Sequence, residues 1–141
     1  MRRFLWFVLA IAVPAAACSN SNASSLASTI APTPTVVTEM FTGTVIVGGS
    51  DAHPFTVTVS GGQINVILTA AGPPPTIYMG LGVGTPSGSS CTLLSGASTA
   101  TPAGTIAQLT GTITAGSYCV QVFDIGNQTV DVTYSLTVIH Y

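Results

Sequence analysis

A serine, an aspartate and a histidine stand close together at Ser50, Asp51 and His53. Asp51 and His53 are two positions apart, so on an extended strand both side chains point to the same face. A catalytic triad uses these three residue types, but it is defined by three-dimensional geometry and not by adjacency. No nucleophile-elbow pattern surrounds Ser50, and no Lys or Arg is near it to hold an anion. We expect Asp51 to cap backbone N–H groups in a turn beside an ordinary surface His53, with catalysis as the weaker alternative.

Oxygen-bearing side chains group around a second turn, at Asp124, Asn127 and Asp131. Calcium takes six to eight oxygen ligands, several of them carboxylates, and this turn offers few. Asp and Asn in turns also bond their own backbone, and this is the structure we expect here. Zinc is disfavoured because His53 and His140 lie far apart in the sequence. We therefore predict no metal and no cofactor, and His140 is expected simply to end the last strand.

Charge excludes several classes of partner. Arg2 and Arg3 are the only basic side chains, against four acidic ones. Nucleic-acid binding needs Lys or Arg to neutralise phosphates, and docking on anionic lipid needs them too. The glycine-rich run at 80–84 is followed by no helical pattern, so it is no phosphate-binding loop. We expect it to be a loosened strand end.

The first 17 residues have the architecture of a secretory signal. Arg2 and Arg3 precede an apolar run of ten residues, Phe4 to Val13, and small residues at 15–17 offer a cleavage site. The apolar run is too short for a membrane span, which needs about 20 residues. We therefore expect export.

The segment Ala15-Ala16-Ala17-Cys18 resembles the lipobox of bacterial lipoproteins. In that family the Cys thiol receives a diacylglyceryl group, the leader is cut before it, and its amine is acylated, with palmitate for example. Here Ala15 stands where Leu is usual, and the alternative is ordinary cleavage that leaves Cys18 as a free or paired thiol. Ser19 follows the cysteine, which in two-membrane members resembles outer-membrane sorting. The resemblance implies lipidation of Cys18 and anchoring in the bacterial cell envelope.

Residues 18–35 are predicted to be the lipidated cysteine and a flexible tether. They are almost all Ser, Asn, Ala, Thr and Pro, a composition that cannot bury enough apolar surface to offset the entropy of ordering. Pro32 and Pro34 stiffen the end of this stretch. The tether would hold a domain of residues 36–141 away from the membrane.

Two further cysteines, Cys91 and Cys119, are expected to form a disulfide because export places them in an oxidising compartment. Closing this loop would stabilise the fold by roughly 3 kcal/mol. A redox pair or a metal site is the alternative, but there is no Cys-x-x-Cys pattern. We expect the bridge to fasten a long loop, residues 84–103, onto a strand face.

The apolar periodicity of residues 36–141 is two, which is typical of half-buried strands. Turn residues such as paired glycines and prolines separate the runs. The runs with clear alternation cover 55–59, 64–68, 77–81, 118–122 and 130–138, and further strands are expected at 42–47 and 106–113. Seven or eight short strands predict an all-β, antiparallel, jelly-roll-like β-sandwich.

Several of these strands resemble the bacterial pre-peptidase C-terminal domain. The residues that carry the likeness are Phe41-Thr42-Gly43, Asp51 to Val57, Gly61 to Val66, Gly116 to Val122 and Val132 to Val138. The resemblance implies a β-sandwich that serves as an accessory module of secreted proteins and in some members binds collagen, polysaccharide or calcium. This chain carries no enzyme domain and lacks the acidic cluster of calcium-binding members.

The leading functional hypothesis is a non-enzymatic, membrane-anchored binding module for polysaccharide, matrix or an envelope protein. Tyr78 and Phe123 occupy the less apolar of the two alternating sets of positions in their strands, so they are the candidate ligand-binding aromatics. The alternative is that they are scattered surface aromatics, which are ordinary. Sheet edges and the loop at 84–103 are the expected contact regions. The second hypothesis is a structural envelope protein that acts by self-assembly or with a protein partner and binds no small ligand.

Overall fold

The computed structural model of the chain describes residues 33–141. The signal sequence, Cys18 and most of the tether lie outside this range. Eight β-strands and no helix make up the described part: β1 (Val37–Val45), β2 (Ser50–Val57), β3 (Gly62–Gly72), β4 (Met79–Ser87), β5 (Ser90–Thr101), β6 (Leu109–Ile113), β7 (Gly116–Phe123) and β8 (Val132–His140).

The strands form two four-stranded antiparallel sheets. Sheet A has the order β1-β8-β3-β6 and sheet B the order β2-β7-β4-β5. Successive strands alternate between the sheets except at the β4–β5 hairpin, and this order is that of a jelly roll. The predicted all-β, antiparallel, jelly-roll-like sandwich is confirmed.

The inner faces of the two sheets hold the core. On β8 every second residue from Val132 to Val138 is buried, and on β3 the same holds for Ile64, Val66 and Leu68. Sheet B contributes Met79 and Leu81 of β4 and the valines of β7, also at every second position, although β4 is buried on both faces. The predicted period of two is therefore the period of burial.

Several of the predicted strands have other bounds: the one expected at 130–138 begins only at Val132, and two edge strands also differ. The strand expected at 42–47 is β1, which begins at Val37 and ends at Val45, and Val47 lies half-exposed in the following turn. The strand expected at 106–113 begins only at Leu109, and Ile106 is 81% exposed. Both are edge strands with one covered face, so their apolar signal is weak.

The prediction of a long loop at 84–103 is wrong. These residues form most of a β4–β5 hairpin whose two-residue turn, Gly88-Ser89, lies between the paired Ser87 and Ser90. Gly88 has a φ of 61°, which suits a glycine in a tight hairpin turn. The sequence hides β5 because most of its residues are exposed Ser, Thr, Gly and Ala at the sheet edge.

The glycine run at 80–84 is likewise not a loosened strand end. It is the middle of β4, between β7 and β5, and it is fully buried. The ring of Phe123 lies where a Cβ of Gly80 would be, and Leu93 lies 2.7 Å from the place of a Gly82 Cβ. Side chains of β7 and β5 therefore cover the face of β4 on which the glycines lie.

The disulfide between Cys91 and Cys119 is confirmed. It joins β5 to β7, although β4 lies between them in the sheet. The Cα atoms of the two cysteines are 5.8 Å apart, and a Cβ at Gly84 would collide with the backbone oxygen of Thr92. The bridge therefore needs a glycine on the intervening strand.

The two sides of the sandwich differ. On the β5/β6 side, the sheets leave an apolar cleft of about 210 Å³, lined in part by Val83, Leu94 and Leu109. On the opposite side, β1 and β2 are the free edges of the two sheets, and polar side chains connect them. They include Asp51, His53 and His140.

We predict that Gly84→Ala destabilises the domain by about 1–3 kcal/mol, because the added methyl group would overlap the backbone of β5 at Thr92. Gly111→Ala is the matched control, since the nearest atom to its Cβ would be 3.9 Å away, and its effect should stay within about 1 kcal/mol. Urea unfolding with the disulfide intact measures both. Equal effects of the two variants would contradict the packing described for Gly84.

Candidate functional site

Asp51 and His53 lie on β2 and reach across to Tyr134 on β8, in the other sheet. The Tyr134 hydroxyl donates to Asp51 Oδ2 at 2.9 Å, and His53 Nε2 lies 2.8 Å from the Tyr134 oxygen. The His53 ring stacks on Phe41 of β1 with ring centroids 4.8 Å apart. The cluster therefore links the two sheets at their β1/β2 side.

The hydrogen bonds fix the protons of this cluster. Because the Tyr134 hydroxyl donates to Asp51, its oxygen accepts, and His53 Nε2 must carry the proton that it donates. Burial, the hydrogen bond to Asp51 and the charge of Asp51 together raise the pKa of Tyr134 well above its ordinary value. Tyr134 is thus held as a neutral proton donor and is poorly suited to act as a base.

The arrangement differs from both predictions made for these residues, a turn-capping Asp51 and a catalytic triad. Asp51 caps no turn, and His53 is only partly exposed. Within residues 33–141 no hydrogen bond joins Ser50 to His53, so no triad is assembled. Gly43 makes the cluster possible, because a Cβ there would collide with Asp51 Oδ2 and lie 2.7 Å from the Tyr134 hydroxyl.

A second polar link lies nearer the start of β1. His140 Nε2 is 3.0 Å from Glu39 Oε1, and His140 is only 1% exposed. Its ring also lies 5.5 Å from that of Phe55, in the opposite sheet. His140 does end the last strand, as expected, but its ring is buried, and hydrogen bonds of both ring nitrogens, to Glu39 and to the backbone oxygen of Tyr141, compensate for the burial.

Three connections meet at one end of the sandwich, which we call the loop end: residues 46–49, 73–78 and 124–131. The strand registers bring them together, because Val45 pairs with Val132 and Phe123 pairs with both Ser50 and Gly80. The loops are also bonded to one another, since Asn127 Nδ2 donates to the backbone oxygen of Tyr78.

Two carboxylates hold the loop end together. Asp124 Oδ2 accepts the N–H of Gly48 at 2.8 Å, and its Oδ1 accepts the N–H groups of residues 126, 127 and 128. These bonds, that from Gly48 foremost, lower the pKa of Asp124. Asp131 Oδ1 accepts the N–H of Val47. The predicted backbone bonding of Asp124 is confirmed, and it extends to a second loop.

The same bonds leave Asp124 little capacity for a metal ion. A carboxylate that accepts four N–H groups has most of its lone pairs in use. Within residues 33–141 no group of three or more His, Cys, Asp or Glu side chains is placed to hold a metal.

The loop end exposes apolar side chains that the core does not use. Each is more than two-fifths exposed, and they come from all three loops: Ile46 (62%), Val47 (50%), Tyr78 (51%), Ile125 (44%) and Val130 (50%). Single exposed apolar residues are ordinary, but a group of them on connected loops is typical of an interaction surface.

The two candidate aromatics have different surroundings. Tyr78 belongs to the loop end and is exposed, as expected. Phe123 is only partly exposed, with its ring over Gly80. Binding by either residue stays a prediction.

Sequence reasoning misses most of the loop end. The periodicity assigns Ile46, Val47 and Val130 to strands and gives Ile125 no role. The sequence offers one signal of these residues. Each is an apolar residue within or beside a turn that contains Gly or Asp, and a turn has no face that packs against the core. That signal shows exposure but not which loops meet.

No protein-family model matches the chain, and no curated protein matches it. Among solved structures it is similar to the crystal structure of Aeromonas hydrophila PliG, a periplasmic lysozyme inhibitor of g-type lysozyme. The sequence identity is 16%, the likeness covers 74% of this chain and 86% of that chain, and the TM-score is 0.49. A likeness at this level assigns neither a partner nor an activity to this chain. None of residues 33–141 belongs to a helix of the length and apolar character needed to cross a bilayer.

We predict that Tyr134→Phe lowers stability at neutral pH by about 1–2 kcal/mol, because Asp51 and His53 lose their shared partner. In the parent chain the folded state keeps the Tyr134 proton while the unfolded state releases it at about pH 10. The contribution is therefore full below pH 10 and is lost as the pH rises further. Unfolding midpoints across alkaline pH should fall more steeply for the parent than for Tyr134→Phe. Parallel curves of midpoint against pH for the two proteins would contradict the raised pKa of Tyr134.

We also predict that Asp124→Ala removes a component of acid sensitivity. The pKa of Asp124 is lowered by folding, so its contribution is present above about pH 4 and is lost as the pH falls through the folded pKa. Thermal unfolding midpoints measured from neutral pH to acid should fall less for Asp124→Ala than for the parent. The control is Asp131→Ala, which loses a single backbone bond. An identical acid profile for parent and Asp124→Ala would refute the role of Asp124.

Proposed function

We propose that this chain is a non-enzymatic binding protein of the bacterial cell envelope, anchored through Cys18, whose loop end docks a protein partner. The observation that carries the proposal is the group of five exposed apolar side chains on three loops that are bonded together at one end of the sandwich.

The bonding of the loops supports binding as well as stability. Ordering mobile loops on association costs free energy, and loops already fixed in one arrangement avoid much of that cost. Asp124 and Asp131 fix the turn after β1 to the connection before β8. An apolar centre with polar groups around it is also the usual composition of a protein–protein interface.

The direction of β1 supports the placement of this surface. β1 runs towards the loop end, so the residues that precede Val37 join the sandwich at the opposite end. The chain therefore does not enter the sandwich through the loop end, which leaves that surface free. A partner in the envelope or outside the cell could reach it there.

The motif positions support the pre-peptidase C-terminal-like interpretation. The Phe-x-Val, Gly-x-Tyr-x-Val and Tyr-x-Leu-x-Val segments lie on β2, β7 and β8, and each places its Val side chains in the core. These residues serve packing, so they favour the fold of that family and name no ligand.

A glycan is the second candidate ligand, because exposed Tyr78 offers a ring for stacking within the same surface. A glycan site would depend on that one ring. A protein site would depend on the aliphatic residues beside it, such as Ile125.

A photo-crosslinking residue placed at Ile125, in cells that produce the full chain, tests the proposal. We expect a discrete protein adduct that disappears when Ile46→Ser is added. The control position is Thr112, which is exposed on β6 and lies at the other end of the sandwich, where Ile113 pairs with Gly62. Fatty-acid labelling of the parent and of Cys18→Ser, in the same cells, tests the anchor.

Adducts from Thr112 alone, or none from either position in folded protein, would contradict a docking role of the loop end. Saturable glycan binding that Tyr78→Ala abolishes and Ile46→Ser leaves unchanged would replace the protein by a glycan as the ligand.

A further inference from the structure

The four edge strands of the sandwich differ in how they are protected from strand addition. Natural sheets blunt their edges with proline, bulges, short strands or charged side chains. β2 carries Pro54, which has no N–H. The pairing of β5 with β4 shifts register between Gly82 and Gly84, and β6 is five residues long.

β1 has one charged side chain, Glu39, which is bonded to His140 of its own sheet, and it carries none of the other devices. It has nine residues, its register with β8 is unbroken over all of them, and it contains neither proline nor a basic residue. Within residues 33–141 it pairs with β8 alone. The outward row of backbone N–H and C=O groups is therefore a template for one more strand.

We propose that β1 is a strand-addition site for β1 of a second copy of this chain, joining two A sheets into one eight-stranded antiparallel sheet. This interface is separate from the loop end, and it does not depend on the function proposed for that surface.

The sequence of β1 is self-complementary in this arrangement. A two-fold axis at Phe41 sets each residue against the one equally far on the other side of Phe41, so Glu39 lies opposite Gly43 and Met40 opposite Thr42. No carboxylate then faces a carboxylate across the strands, where like charges would destabilise the pair. Glu39 is in any case bonded to His140.

The outer face of the edge also suits a second copy. Met40 is 80% exposed at the centre of the strand, where its side chain would contact Thr42 of the other copy. A two-fold pairing of identical edges closes on itself, so it gives a dimer and not a filament. Residues 33–141 contain no Lys or Arg, so no pair of like positive charges opposes this contact.

Sedimentation velocity of the exported chain, with Cys18→Ser to keep it free of lipid, tests the proposal over a range of micromolar concentrations. We expect a monomer–dimer equilibrium. In Met40→Lys we expect a dissociation constant raised about tenfold or more, because the two copies then bring like positive charges close together. Thr112→Lys is the matched control, because it places the same charge on the same face at the other edge of sheet A. Amide exchange should slow with concentration in β1 and not in β6.

A monomer at every concentration would overturn the proposal. So would a dimer that Thr112→Lys weakens as much as Met40→Lys, since that points to association driven by low charge alone. An intact disulfide and an unchanged unfolding midpoint in Met40→Lys show that the variant is folded. Concentration-independent protection of β1 that appears only when another protein is added would assign the edge to that partner instead.

Discussion

The fold depends on how its carboxylates are satisfied in a domain whose residues 33–141 include no Lys or Arg to pair with them. A carboxylate taken from water without partners is costly, and here the partners are a phenol, an imidazole and backbone N–H groups. Asp51 meets Tyr134 across the sheets, and Glu39 meets the buried His140. The two remaining acids accept N–H groups from the loops. Each acid therefore sits where it joins one element to another.

These links give the two ends and two sides of the sandwich different properties. The β1/β2 side is joined by polar side chains, whereas the β5/β6 side leaves an apolar cleft. The loop end is fixed by Asp124 and Asp131 and yet exposes aliphatic side chains. A surface that is both ordered and apolar is suited to a protein partner. The edge of β1 offers a second, independent contact through the backbone.

Much of the fold could be predicted because burial alternates along the central strands. The valines of β7 and β8, the disulfide and the sandwich class all follow from that alternation and from export. Edge strands could not be predicted as well, because β1 and β5 bury few side chains and their Thr and Ser residues resemble loop residues. The glycines of β4 could not be interpreted at all, since their role depends on Phe123 and Leu93 from other strands.

The candidate site was predictable only in part. The spacing of Asp51 and His53 placed them on one face, but their partner Tyr134 is more than eighty residues away. The loop end required the strand order, because no local pattern shows that Gly48 and Asp124 meet. The most direct test of the account is amide hydrogen exchange of the parent chain at the loop end. The account predicts that the N–H groups of Gly48 and Gly126 exchange as slowly as those of neighbouring strand ends. Exchange at the rate of a free peptide would contradict a loop end braced by Asp124.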